Sequence, residues 1–356
     1  MHKNVFIKKT GLSMERVKVG LIGAGRIGQV HAQTLSNCIP EAQLAVVCDI
    51  DLEAAQKCAR HFKIPEYTQN REVILQDKSI DAVVIASSTN THIPIIHECA
   101  KAGKHIFCEK PVSIDLAQLD GTLKVVRESQ VKLQIGFNRR FDANFKHIRN
   151  LITADEIGKI HLLRITSRDP APPSLDYIKI SGGMFLDMTI HDFDMASYLI
   201  GSEVTQVYAH GQALIDPAIR EVGDIDTAVI TLQFAEGAIG VIDNSRQAVY
   251  GYDQRVEVFG TKGTAHAKNK TPHDVILSNQ AGTMSALPLH FFLERYMESY
   301  IEEIKAFVQA ILDDGTPPVT GSDIRNAIAV GLAAKKSHLE NRPVSLIEIE
   351  KDLKSH

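Results

Sequence analysis

Residues Gly23-Ala24-Gly25-Arg26-Ile27-Gly28 constrain this chain more than any other stretch. They follow the apolar run Arg16-Val17-Lys18-Val19-Gly20-Leu21-Ile22, which reads as a buried strand, and they open a helical stretch that reaches about Cys38. G-x-G-x-x-G between a strand and a helix is a turn on which a dinucleotide pyrophosphate can rest. Gly23 allows the tight turn, Gly25 lets the phosphates approach the backbone, and Gly28 lets the helix pack on the strand. Arg26 and Ile27 begin the helix whose N-terminus would receive the phosphates.

A second strand, Gln43 to Cys48, ends in Asp49, 21 positions after Gly28. That is the distance expected of the acid that takes both adenosine ribose hydroxyls. The carboxylate would repel a 2′-phosphate, and Ile50 and Asp51 follow with no arginine to hold one, so NAD is expected over NADP. The alternative for Asp49 is a plain turn former. Strand and helix continue to alternate. Two strand ends, the turn Ser87 to His92 and Glu109-Lys110-Pro111, fall where ligands gather in such sheets. Ser88, Asn90, His92 and Glu109 are candidate cofactor contacts there. Lys110 is either a solvated surface charge or a group that reaches a substrate hydroxyl; Pro111 is expected to fix its turn through a cis peptide.

After Phe137-Asn138-Arg139-Arg140-Phe141 the pattern changes. Strand-like runs follow one another at about 160–166, 204–210, 226–234, 238–245 and 254–259, mostly without intervening helices, which suggests a largely antiparallel sheet. Helices on one face of it would leave the other free for a partner subunit. Between the first two runs, Phe185, Leu186, Ile190, Phe193, Tyr198 and Leu199 recur at helical spacing. On one helix, Asp187 and His191 would rise from the same face at i and i+4, with Asp194 near that stripe. A carboxylate beside an imidazole can orient the ring and support its charge. Taken alone, the same residues fit an exposed polar helix face.

The chain has 356 residues, enough for two domains, and a formal net charge of −4 that gives no electrostatic case for nucleic acid or an anionic membrane. No apolar run approaches the roughly 18 residues of a membrane span. Residues 1–14 read as a leader outside the fold, with Met14 as an alternative start. The five cysteines, Cys38, Cys48, Cys58, Cys99 and Cys108, form no Cys-x-x-Cys pair. They read as reduced residues of a cytoplasmic protein, not as a disulfide frame or zinc site.

The glycine motif, Glu109-Lys110-Pro111, Gly136-Phe137-Asn138-Arg139-Arg140-Phe141 and Asp187-x-x-x-His191-Asp192 together resemble the glucose–fructose oxidoreductase and inositol dehydrogenase family. The resemblance spans about 16–346. Ser167-Arg168-Asp169-Pro170, Tyr250-Gly251-Tyr252-Asp253 and Phe291-Phe292-Leu293-Glu294-Arg295-Tyr296 draw it toward the inositol-oxidising members. It implies an α/β chain: an N-terminal Rossmann domain with a doubly wound parallel sheet (15–137), then an α+β domain on a large open, mostly antiparallel sheet (138–349). It implies NAD as cofactor, a cyclic polyol as substrate, no metal, and a homotetramer built through the C-terminal sheet. Lys110, Asp187 and His191 take the catalytic positions. Arg139, Asp169, Tyr252 and Tyr300 take the polyol-contacting ones. The implied reaction oxidises a ring hydroxyl to a ketone, of an inositol or a related sugar; the alternative of another class is a non-catalytic NAD-binding regulator.

Overall fold

The computed structural model describes residues 16–354; the leader over 1–14 and its alternative start lie outside the described residues. The first part alternates β1 (Val17–Ile22), α1 (Arg26–Asn37), β2 (Ala42–Cys48), α2 (Leu52–Phe62), β3 (Glu66–Thr68), α3 (Glu72–Gln76), β4 (Ala82–Ile85), α4 (Thr89–Lys101), β5 (His105–Glu109), α5 (Leu116–Glu128) and β6 (Leu133–Gly136). Helices cover both faces of this sheet. Nearly every residue of β1, β4, β5 and β6 is therefore buried, and these strands read as apolar runs, not as alternations. Asp51 and Asp115 start α2 and α5 by accepting main-chain N–H bonds from the first turn. All neighbours are parallel in the order β3-β2-β1-β4-β5-β6. The order reverses between β1 and β4, and the loops diverging there open a crevice at the carboxyl ends.

A 3-10 turn, Asn138–Phe141, leads into α6 (Ala143–Thr153), β7 (Ile160–Arg168), α7 (Leu175–Ser181), α8 (Gly183–Asp187), α9 (Ile190–Ile200), β8 (Val204–Gln212), α10 (Pro217–Glu221), β9 (Thr227–Phe234), β10 (Ile239–Ser245), β11 (Asp253–Gly260) and β12 (Thr264–Ala267). A small hairpin, β13 (Ile276–Asn279) and β14 (Gly282–Ser285), precedes α11 (Phe292–Leu312), α12 (Gly321–Glu340), β15 (Val344–Ser345) and α13 (Leu346–Lys354). The second sheet runs β12-β11-β7-β10-β9-β8-β15. Every pair in it is antiparallel except β7 with β10. Its strands alternate: Val207, Ile230, Leu232 and Ile242 share a core with Phe193, Leu199, Ile328 and Val330 of α9 and α12. On the other face Tyr208, Thr231, Val241, Arg164 and Glu257 stand side by side in register, exposed or half-buried.

Two local expectations change. The stretch 185–199 is not one helix: α8 ends at Asp187 and α9 begins at Ile190, with Met188 and Thr189 between them. Thr89 to His92 belong to the first turn of α4, not to the preceding loop, because Ser88 already adopts the extended geometry of an N-cap. Helix α11 comes late in the chain but lies on the first sheet, where Ile304, Phe307 and Val308 pack with Val19, Leu21 and Phe107.

Candidate active site

The glycine loop has the shape its chemistry requires. Gly23 has φ +102°, and a Cβ on it would lie 2.5 Å from the Ala86 carbonyl oxygen; one on Gly28 would lie 2.0 Å from that of Gly23. A Cβ on Gly25 would meet nothing within 4 Å, so this side of the loop faces open space. Helix α1 has no side-chain cap and no acidic residue in its first turn. Its N–H groups and positive dipole end are thus available to an anion. Asp49, at the end of β2, accepts from the Ala24 N–H at 2.6 Å and the Asp51 N–H at 2.9 Å, which seats it against the loop. Arg71, drawn into that corner by the turn after β3, is engaged by Glu98. The open loop, unpaired helix end and acid at β2 fit a dinucleotide with a free ribose diol.

Arg26 begins α1 with its guanidinium 5.9 Å from the Phe291 ring, and Ile27 is half-buried beside it. Ser88 and Asn90 are exposed at the start of α4. His92 has another place. It is buried, with Nδ1 2.8 Å from the Pro111 carbonyl oxygen and Nε2 3.0 Å from that of Ser87. It braces two strand-end loops and presents no free nitrogen to a ligand. Burial lowers its pKa, despite those carbonyls. Glu109 is also buried, with Oε1 2.8 Å from Nε2 of His31.

Lys110 and Pro111 are joined by a cis peptide bond. Lys110 Nζ donates to the Asp187 main-chain oxygen at 3.1 Å and lies 3.7 Å from Asp187 Oδ1. His191, the second residue of α9, has Nδ1 buried without a hydrogen-bond partner, and its ring stands edge-on to Phe137. Burial first, then the charges of Lys110 and Arg139, hold its pKa well below the usual histidine range. Lys110 thus touches Asp187 and its charge acts on His191, although 77 positions separate Lys110 from Asp187 along the chain. The expected direct carboxylate–imidazole contact does not form, because the break between α8 and α9 turns Asp187 away from the ring. Asp187 Oδ1 instead accepts from the Tyr177 hydroxyl at 2.9 Å, and Arg246 lies 3.7 Å from Oδ2.

Sequence reasoning missed Tyr177 and Arg246. Tyr177 lies just beyond the proline-rich loop on the short helix α7. Arg246 immediately follows β10; its side chain is buried, with Nε and one terminal nitrogen lacking hydrogen-bond partners. A charged residue at the end of a strand that is buried on one face was the available signal.

The remaining residues surround the same space. Arg139 is buried and donates to Asp192 at 2.6 Å and to Ser167 Oγ at 3.0 Å. Asp192 also accepts from Ser167 Oγ at 2.6 Å and Asn244 Nδ2 at 2.8 Å. Asp194 does not join the Asp187 stripe: Arg140 forks onto both its oxygens and also reaches Asp323. Asp169 is raised to about 6, by burial first; Arg246 and Arg139 oppose the shift, whereas Asp187 and Asp192 add to it. Tyr252 and Tyr296 meet edge to face, with ring centroids 6.0 Å apart. Tyr300 is buried one turn further along α11, with its ring 6.0 Å from that of His31. Carboxylates, guanidinium groups and phenols around a loop built for a dinucleotide suit a small, hydroxyl-rich molecule.

The family model for oxidoreductases with an NAD-binding Rossmann fold matches residues 17–137, and that for the GFO/IDH/MocA C-terminal domain matches 145–266. The chain is 48% identical over 333 residues to a myo-inositol 2-dehydrogenase of Thermotoga maritima, covering 94% of this chain and 99% of the relative. The chain belongs to the GFO/IDH/MocA family. An uncharacterised oxidoreductase of Bacillus subtilis is 51% identical to it, over 95% of this chain and 98% of its own. A solved structure of scyllo-inositol dehydrogenase from Lactobacillus casei, with bound NAD(H) and scyllo-inositol, superposes with a TM-score of 0.87 at 29% identity, covering 93% of this chain and 99% of that one. The Rossmann half of this GFO/IDH/MocA protein is accordingly an NAD-binding unit, and the chain is an oxidoreductase.

Proposed function

We propose that this protein is an NAD-dependent inositol 2-dehydrogenase that oxidises a ring hydroxyl of myo-inositol to give 2-keto-myo-inositol (scyllo-inosose). The main support is the contact of Lys110 with Asp187 and the effect of its charge on His191, in a chain nearly half identical to a relative named for that activity. Bound NAD would accept the hydride from the ring carbon. His191 takes the hydroxyl proton; its lowered pKa keeps it neutral, and so able to act as a base, at ordinary pH. Lys110 donates to the reacting oxygen and favours the negative charge that grows there. Asp187 holds Lys110 in place and is itself held by Tyr177 and Arg246. The C–H bond leaves as hydride and the O–H bond as a proton, so the products are the ketone, NADH and one proton.

Gly23, Gly25, Arg26, Ile27 and Gly28 are assigned to the pyrophosphate, Asp49 to the ribose, and Ser88, Asn90 and Glu109 to the rest of the cofactor. Arg139, Asp169, Tyr252 and Tyr300 are assigned to the other ring hydroxyls, whose loss or inversion would leave buried polar groups unpaired. Residues 15–137 form the NAD-binding unit and 138–349 the substrate-binding and assembly unit. The in-register outer face of the second sheet supports a homotetramer, and five free cysteines suit the cytoplasm. No helix among the described residues is long and apolar enough to cross a membrane. The deciding assay follows NADH absorbance across a panel of inositols and sugars, with NAD and NADP side by side. Turnover greatest with myo-inositol and NAD is expected. Preference for scyllo-inositol or a pyranose would move the substrate within the family, and absence of turnover on every polyol would reject the reading.

A further inference from the structure

A second set of buried polar groups lies beneath the proposed site. His31 on α1, Glu109 at the end of β5 and Glu303 on α11 bring ligand-capable atoms within 4.8 Å of one another. His31 and Glu303 are 0% exposed. Neither oxygen of Glu303 has a hydrogen-bond partner, nor does Nδ1 of His31. Among the described residues, no lysine or arginine pairs with Glu303. Gln134 of β6 reaches only its main-chain oxygen, at 2.7 Å.

Two carboxylates this close, one of them fully buried, disfavour charge on both, since burial and mutual repulsion act together. Either a cation or a proton must resolve the conflict. One imidazole and two carboxylates could ligate a transition metal. The His31 Nε2 to Glu109 Oε1 distance of 2.8 Å, however, is already that of a hydrogen bond. A proton on Glu303 resolves the conflict and leaves that bond in place.

We propose that Glu303 is held as a neutral carboxylic acid, and that with His31 it forms a positioning group for Glu109 and hence for Lys110, the next residue. Three elements are joined at this point: α1, whose N-terminus would receive the phosphates; β5, which ends in Glu109 next to Lys110; and α11, which carries Tyr300. A neutral Glu303 leaves the single negative charge on Glu109, where His31 can hold it. Burial, and after it the charge of Glu109, push the Glu303 acid well above its ordinary range, in the same sense. The kinetic part of this inference rests on the reading of Lys110 as a substrate-contacting group; the protonation part does not.

The test uses the full chain with Glu303→Gln, Glu303→Ala and His31→Ala. In the unfolded chain Glu303 ionises above pH ~4.5, whereas in the folded protein it stays protonated. Its contribution to stability is thus complete below that pH and is lost as pH rises toward the folded pKa. The groups facing it are Glu109 of β5, His31 of α1, Tyr300 of α11 and the uncharged Gln134 of β6; Arg139 of the nearby 3-10 turn is engaged by Asp192. Glu303→Gln keeps the neutral shape and removes the pH-dependent loss. Its Tm advantage over the parent should therefore widen by about 4 °C or more between pH 5 and pH 8. Glu303→Gln should keep kcat within about threefold of the parent, while Glu303→Ala and His31→Ala lower it about tenfold or more. A Tm gap that stays flat with pH overturns the proposal. So does a Glu303→Gln enzyme as impaired as Glu303→Ala, or a parent protein carrying one equivalent of metal whose removal by chelator lowers Tm. Unchanged turnover in Lys110→Ala would instead reject the proposed role of Lys110, and the Tm series would still decide the protonation of Glu303.

Discussion

Asp187 and His191 differ sharply in their surroundings from Asp192 and Asp194, although all four lie within eight residues. Asp192 accepts three hydrogen bonds of 2.6 to 2.8 Å, and Asp194 receives both arms of Arg140. Asp187 has one such bond from a side chain, and its two cationic neighbours stand off at 3.7 Å. His191 Nδ1 has none. Buried charges are tolerated when every lone pair is used, so Asp192 and Asp194 hold the fold together. Groups left partly unsatisfied in the same place retain capacity for a ligand and for proton transfer.

The contrast can be broken most directly at His191. His191→Ala should lower kcat by about 10²- to 10⁴-fold with a Tm close to that of the parent; a comparable loss of stability would make His191 a structural residue like its neighbour. Asp192→Ala should act first on stability. Leaving Arg139 buried without its partner should cost about 3–5 kcal/mol in urea unfolding, and a cost under 1 kcal/mol would remove the distinction. Tyr177→Phe deletes the one side-chain hydrogen bond to Asp187 and should lower kcat/KM about tenfold, with no measurable change in NAD affinity. The smallest effect is electrostatic. His191 stays neutral as pH falls through 6.5, and it takes up a proton only in more acid solution, so the acid limb of kcat/KM belongs below pH 6.5. Lys110→Met should move the His191 titration seen by NMR upward only slightly, because burial, the larger cause, remains. A downward movement would contradict the proximity of the two groups.

Much of the first half was legible because its signals are local. Gly23, Gly25, Gly28 and Asp49 encode a turn and a strand end through spacing alone, and Pro111 marks its own turn. The meeting of Lys110 with Asp187 could be inferred only through resemblance, since no periodicity relates them. Tyr177, Arg246 and the cluster around Glu303 depend on tertiary contacts that spacing does not carry. Glu303 did leave a trace: with Tyr296, Tyr300 and Phe307 it occupies the buried stripe of α11, where a carboxylate is out of place. The helix break after Asp187 left almost none, because the apolar spacing continues across Met188 and Thr189. His92 misled for a related reason, since a polar residue near a strand end can serve the loops as readily as a ligand.

Arg139 and Arg140 are consecutive, directly follow the last strand of the NAD-binding sheet, and are anchored by carboxylates of the helix that carries His191. The first turn of the second half is therefore riveted to the helix on which chemistry is proposed to happen. Prising that turn off its helix would strip two guanidinium groups of their partners at once.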